Sequence, residues 1–355
     1  MAPIELDAGP GWTETAPRPD GPELLVECAG RLEHLRSDGQ VLHDFGPVGP
    51  VPCPLTYDPH SRVAYRYVSS ARLASATDYS QLRAFCLKQG TSHPVCEIPL
   101  NQRVLWLLEW VGGDAGQLFG LLASDLPVGR QICIQHRLFT CSTAGTSASA
   151  LRTRSLCRDA YEPLVFSARR KQLIFSGAEG THLVGLKGER LATLPPETTA
   201  PAVSASFDPS GRPRAILGGE GLHLWDFQAG SCTRLIRPGR HPLWSPQGDR
   251  LWYAGSSASF RSFDLNTEQS EPLLAIRHDR VPDFWKSRPA RLSHCGDYLA
   301  VMLSAKRLKG ITRKTSGIEK AEKVYQDQNC FAILHPPTHQ FWRIEGRFFH
   351  AFRWV

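Results

Sequence analysis

The chain contains no apolar run approaching the roughly 20 residues that a membrane-spanning helix requires, although 41% of its 355 residues are hydrophobic. That excludes a helical membrane protein. Its first residues, MAPIELDAGPGWTETAPRPDG, have no basic start followed by an apolar stretch, so no secretory signal is expected there. They read as a Pro- and Gly-rich arm, either disordered or laid over the surface. There are ten cysteines, yet no two stand as Cys-x-x-Cys, which excludes the common zinc and thiol-exchange spacings. Most lie in apolar stretches such as RAFCL and QICIQ, and are expected to be buried free thiols of a reducing, cytoplasmic compartment. Lysine is scarce, at nine residues against 32 arginines. With abundant Pro, Gly and Ala, that bias suits a GC-rich bacterial genome.

Catalytic signatures are also missing. There is no His-Glu-x-x-His, no Gly-x-Ser-x-Gly and no phosphate loop. The stretch LGGEGLHLW is glycine-rich but opens no helix, so it does not read as a phosphate cradle. The thirteen histidines are dispersed. His60, His241, His278 and His294 fall near the ends of apolar segments, where they could converge from separate parts of the chain. His34 and Glu33 sit in an ordinary strand pattern.

Helical periodicity is scarce too. Short apolar runs punctuated by Gly, Pro, Asp and Asn predict an all-β protein. A repeat is visible in LTYDPHSRVAYRY (55–67), LVFSARRKQLIFSG (164–177), ASFDPSGRPRAILGG (205–219), PLWSPQGDRLWYAG (242–255) and ARLSHCGDYLAVMLS (290–304). Each is an apolar strand, a polar turn and a second strand. A hairpin unit follows each, for example LHLWDFQAGSCTRLI (222–236) and FRSFDLNTEQSEPLL (260–274). Turn plus hairpin makes a four-stranded antiparallel unit of roughly 40–50 residues, the size of a propeller blade.

The stretch LHLWDFQAGSCTRLI, with Trp225-Asp226, resembles the third and fourth strands of a WD-repeat blade. PLWSPQGDRLWYAG, with Trp244-Ser245-Pro246 and Gly248, is similar to the first strands of TolB-like propeller repeats. Units fit at 54–99, 101–157, 163–195, 202–236, 242–276 and 289–345. PELLVEC, RLEHLRS and QVLHDF (22–45) are left as three strands, and FFHAFRWV as a fourth. The expectation is therefore a seven-bladed β-propeller of four-stranded antiparallel blades, closed by the C-terminal strand pairing with the N-terminal blade. Residues 1–21 form the arm and 22–355 a single propeller domain.

One segment is out of proportion. Between the second and third strands of the last full blade lie SAKRLKGITRKTSGIEKAEKVYQD (304–327), with five of the nine lysines. Its second half, GIEKAEKVYQ, reads as a short helix with a Glu319–Lys323 pair. The link HDRVPDFWKSRP (278–289) is expected on the same face, and so is a second excursion, VSSARLASATDYSQ (68–81). Candidate partner-binding residues are Lys306, Arg307, Lys309, Arg313 and Lys314 from the insertion, with Phe284, Trp285, Lys286 and Arg288 from the link. Arginine and lysine beside aromatics make an interface hot spot, and much of the net charge of +7 would gather on this face.

The preferred reading from sequence is a non-catalytic interaction platform holding an acidic protein partner, with no cofactor, metal or membrane. The alternatives are a hydrolase or lyase with its site at the mouth of the central channel, and nucleic-acid contact through the same basic face.

Overall fold

The computed structural model describes residues 6–28, 30–48, 55–58, 61–69, 80–98, 102–107, 117–128, 131–142, 152–157, 160–167, 169–177, 180–195, 202–255, 259–276, 286–287, 291–293, 295–313, 321–344 and 349–355. The arm supplies β1 (Leu6–Ala8) and β2 (Thr13–Glu14). There follow β3 (Leu24–Cys28), β4 (Arg31–Leu35), β5 (Val41–Pro47), β6 (Leu55–Asp58), β7 (Val63–Ser69), β8 (Ser80–Cys86) and β9 (Thr91–Glu97). Next come β10 (Gln102–Leu107), β11 (Gln117–Val128), β12 (Gln131–Ser142), β13 (Arg152–Cys157), β14 (Ala160–Ser167), β15 (Gln172–Gly177), β16 (Gly180–Gly185) and β17 (Arg190–Thr193). After these are β18 (Ser204–Phe207), β19 (Arg214–Gly218), β20 (Leu222–Asp226), β21 (Ser231–Ile236), β22 (Arg240–Trp244), β23 (Arg250–Ala254), β24 (Ser259–Asp264) and β25 (Gln269–Ile276). The last are β26 (Lys286–Ser287), β27 (Arg291–Leu292), β28 (Leu299–Arg313), β29 (Ala321–His335), β30 (Gln340–Ile344) and β31 (Phe349–Trp354).

The chain is a β-propeller. Strands β6–β9, β10–β13, β14–β17 and β18–β21 form four-stranded sheets in chain order. Strand β31 lies antiparallel beside β3 at the head of the sheet β31-β3-β4-β5, with Leu24 opposite Trp354 and Val26 opposite Phe352. The first strands of successive sheets contact one another (β31 with β6, β6 with β10, β14 with β18, β18 with β22), so they form the inner row. Sheets packed on both faces explain the run Leu24, Leu25, Val26 and Glu27, all buried despite their alternating orientation.

The repeated polar turns close on their own side chains. Asp208 accepts the Ser210 amide at 2.7 Å and hydroxyl at 2.6 Å on one oxygen, and Arg214 Nε at 2.5 Å on the other. Burial alone would raise this carboxyl, but the Ser210 and Arg214 hydrogen bonds outweigh it and hold the group below the usual aspartate value. Ser245 Oγ accepts the Arg250 amide at 3.0 Å and Ser293 Oγ accepts that of Tyr298 at 3.1 Å, the same device with a serine in place of the aspartate. These are local side-chain turns of the kind Asp and Ser favour.

The expectation of seven uniform four-stranded antiparallel blades closed into a ring requires correction. The sheet β1-β25-β24-β23-β22 has five strands and β2-β30-β29-β28-β26 has six, with β27 also pairing β28. One pair, β2 with β30, is parallel. The physical reason is the arm. It covers two outer edges that would otherwise present unpaired amides and carbonyls. Leu6 stands opposite Ile276 and Thr13 opposite Gln340. Closure of the ring is not shown.

Gly9 lets the arm approach this closely. A Cβ there would stand 1.8 Å from the Pro272 carbonyl oxygen, which is backbone and cannot rotate away. Gly9→Ala is expected to destabilise the protein by about 1–3 kcal/mol, read as a fall in thermal midpoint. An unchanged midpoint would mean that the arm contributes no stability.

The insertion is also corrected. Residues 321–326, expected in a short helix, belong to β29, which pairs with β28 in one hairpin of 15-residue strands. A short isolated helix is marginal in water, whereas a ladder already running between two core strands adds residues without a new nucleus.

Candidate functional site

The link from β21 into β22 reads IRPGRHPLW. It brings Arg237, Arg240 and His241 to the entry end of the inner row. The turn between β19 and β20 meets it there through a bridge between Gly219 and Gly239. Close approach depends on Gly218, whose added Cβ would lie 2.6 Å from both Pro242 Cδ and Ser204 Oγ.

His241 carries a left-handed backbone, φ 50°, which is uncommon for a residue with a side chain. Its amide donates to Ser204 Oγ at 2.9 Å, which ties the strained residue to the first residue of β18. Burial, reinforced by the positive charge of Arg240, pushes the imidazole below the ordinary histidine value. His223, at the start of β20, is likewise lowered by burial first, against a hydrogen bond to the Gly221 backbone, with Arg234 and Arg237 adding to the lowering. Arg237 reaches Glu220 at 2.8 Å, with side chains 56% and 66% exposed. A pair this open holds about 0–1 kcal/mol, so both groups can be redirected by a solute. The region thus joins two neutral imidazoles, a serine hydroxyl and several guanidinium groups.

A second polar cluster lies at the opposite end of the strands. Glu23 Oε2 contacts His34 Nε2 at 2.8 Å and is paired with Arg62. Although His34 sits beside this carboxylate, burial dominates and lowers its pKa. Tyr57 nearby is raised by burial, against the opposing pull of Arg62. The pair resembles an oriented acid–base dyad, but His34 is only 2% exposed. It joins blades rather than meeting a substrate. Sequence reading passed over His34, because its partner Glu23 comes from the connection before β3.

Of the sequence-flagged histidines, His241 is placed at the inner row, while His60, His278 and His294 lie outside the described residues. Among the candidate partner-binding residues, Lys306, Arg307, Lys309 and Arg313 lie on β28, with Lys306 in register with Asp327 and Arg307 with Gln326. Lys286 is in β26, opposite Ser304 at the base of the same hairpin. Phe284, Trp285, Arg288 and Lys314 lie outside the described residues. Among the described residues, no three His, Cys, Asp or Glu side chains stand together as a metal site, and no helix is long and apolar enough to cross a membrane.

No family model and no curated protein matches the chain. Solved structures do. An oligogalacturonate lyase in complex with manganese matches at 10% identity and a TM-score of 0.53, over 85% of this chain and 95% of that one. Prolyl oligopeptidase B from Galerina marginata matches at 12% identity and a TM-score of 0.50, over 79% of this chain but only 44% of its own length. A protein from Bacteroides uniformis named as a candidate 6-phosphogluconolactonase matches at 13% identity and 0.49, over 88% and 99%. These likenesses concern the fold. The match to a lyase removes the ground for reading this fold as a non-catalytic platform, and it overturns the expectation, left uncertain, that the chain is more likely no enzyme.

Proposed function

We propose that this protein is an enzyme of the hydrolase or lyase kind, with its site at the mouth formed by the inner strands around Ser204, Arg240 and His241. The observation that carries the reading is His241, a neutral imidazole in a left-handed backbone conformation, fixed by Ser204 and set beside an exposed arginine. Strained backbone of this kind gathers at functional sites. A histidine kept neutral below its usual pKa is available as a general base at neutral pH. It could take a proton from water, for hydrolysis, or from a carbon beside a carboxylate, for elimination. Arg240 would hold the negative charge that develops. The lyase and peptidase neighbours lend support at the level of fold. Kinship with WD-repeat or TolB-like proteins belongs to this proposal too, resting on the shared turn pattern. Within it, Trp225 is fully buried and its indole N–H has no hydrogen-bond partner among the described residues.

The test is turnover of lactones, peptides and uronate oligosaccharides by the purified chain and by His241→Gln. The substitution is expected to lower kcat about 10²–10⁴-fold. The acid limb of kcat/KM should fall below pH 6.5, the ordinary histidine value from which His241 is lowered. Below that limb the imidazole is protonated and cannot accept a proton. Equal rates for both proteins, or no turnover of any of the three classes, would overturn the proposal.

A further inference from the structure

Cys96 and Cys141 come from different blades. Cys96 lies on β9, the outermost strand of its sheet, and Cys141 on β12 of the next. Both are 1% exposed and belong to one apolar cluster with Tyr65, Leu82, Leu118 and Phe139. Neither is in a disulfide, and the two thiols are hydrogen-bonded to each other. From sequence each is simply another buried cysteine, 45 residues from its partner. Only the junction between the two sheets brings them together.

We infer that Cys96 and Cys141 are a redox-modifiable pair that a peroxide converts into a disulfide, bolting one blade to the next. The two thiols titrate as a pair, so the steps balance equally with either sulfur oxidised first, here Cys141. Its thiol reacts with hydrogen peroxide to give a sulfenic acid and one water, the O–O bond breaking as the S–O bond forms. The sulfur of Cys96 then attacks Cys141. The S–S bond forms, the S–O bond breaks, and the hydroxide leaves as water with the Cys96 proton. Two thiols are oxidised and one peroxide is reduced to two waters.

The link would act at a junction that carries an apolar cluster, and it would close a loop of about 45 residues. A loop of that length favours stabilisation by restricting the unfolded chain. Oxidation should therefore raise the thermal midpoint, and a thiol reductant should restore the starting value.

The test uses the intact chain treated with hydrogen peroxide, and separately with diamide, then alkylated after unfolding. Alkylatable thiols are expected to fall from the ten of the sequence to eight. A peptide pair joined through Cys96 and Cys141 should appear by mass spectrometry, with a mass two hydrogens below the sum of the free peptides. Cys96→Ser and Cys141→Ser, small changes at a thiol position, should each abolish that pair and the midpoint shift. If all ten thiols survive oxidant that modifies free cysteine, or if the cross-link joins other cysteines, the inference fails. It fails equally if Cys96→Ser still loses two thiols. None of these outcomes depends on the enzymatic reading.

Discussion

Replacing Glu27 by Leu is expected to cost about 3–5 kcal/mol of folding stability, a large share of the roughly 5–15 kcal/mol of a typical domain. Glu27 and Arg66 are a charge pair at 2.9 Å between neighbouring blades, with side chains 1% and 0% exposed. The arginine also donates to the Val48 carbonyl at 2.6 Å and the Tyr67 carbonyl at 3.1 Å. Once the carboxylate is gone, those two carbonyls still receive hydrogen bonds, but the buried guanidinium loses the carboxylate 2.9 Å away. The double variant Glu27→Leu/Arg66→Met should recover part of the loss. Its residual cost, about 1–3 kcal/mol, comes from carbonyls left without donors. Urea unfolding of the three proteins checks this. A double variant less stable than Glu27→Leu would show that the arginine's carbonyl contacts, and not charge pairing, set the cost.

Removing Arg347–Val355 should leave no cooperative unfolding transition at all. Strand β31 fills the edge of β3, and Trp354, 2% exposed, and Phe352, 6% exposed, enter the cluster that joins two sheets. Phe352 stands edge-on to Phe331, with ring centroids 4.9 Å apart at 84°. Fully burying such side chains contributes about 1.5–3 kcal/mol each, and the bare edge of β3 adds an unpaired ladder. Trp354→Ala alone should cost about 3–5 kcal/mol. Circular dichroism during a denaturant titration distinguishes the outcomes. A truncated chain that unfolds at the same midpoint as the full one would show that β31 is not needed.

Strand β31 was legible because its partners were incomplete. The segments at 22–45 make three apolar strands, and the aromatic FFHAFRWV has no other place to hide. The strands β6–β9 and β18–β21 were legible for a similar reason, since Asp-Pro turns and hairpin residues recur at blade spacing. Strands β1 and β2 were not. Strands of three and two residues carry no alternation to read, and their partners lie more than 260 residues away. The hairpin beyond Leu303 was misread because Glu and Lys at i,i+4 carry a helical signal that a continuing ladder overrides.

The site was legible only in part. His241 was one of several histidines near segment ends. Its left-handed backbone is held beside Gly218 and Ser204, which come from elsewhere in the chain, and no local pattern announces it. Glu27 and Arg66 looked like ordinary strand residues, because alternation says which face a side chain occupies but not which blade covers that face. Cys96 and Cys141 were masked in the same way.

The arm also bears on the order of events during synthesis. Residues 6–8 wait for 274–276, 13–14 for 340–341, and 24–28 for 349–354. Strands made early thus wait for neighbours made more than 260 residues later. Until then β3 offers an open edge, and the polypeptide is exposed to wrong pairings. Contacts this distant in sequence slow folding. A nascent chain halted short of residue 349 should accordingly recruit chaperones that a released chain containing residues 349–354 no longer holds.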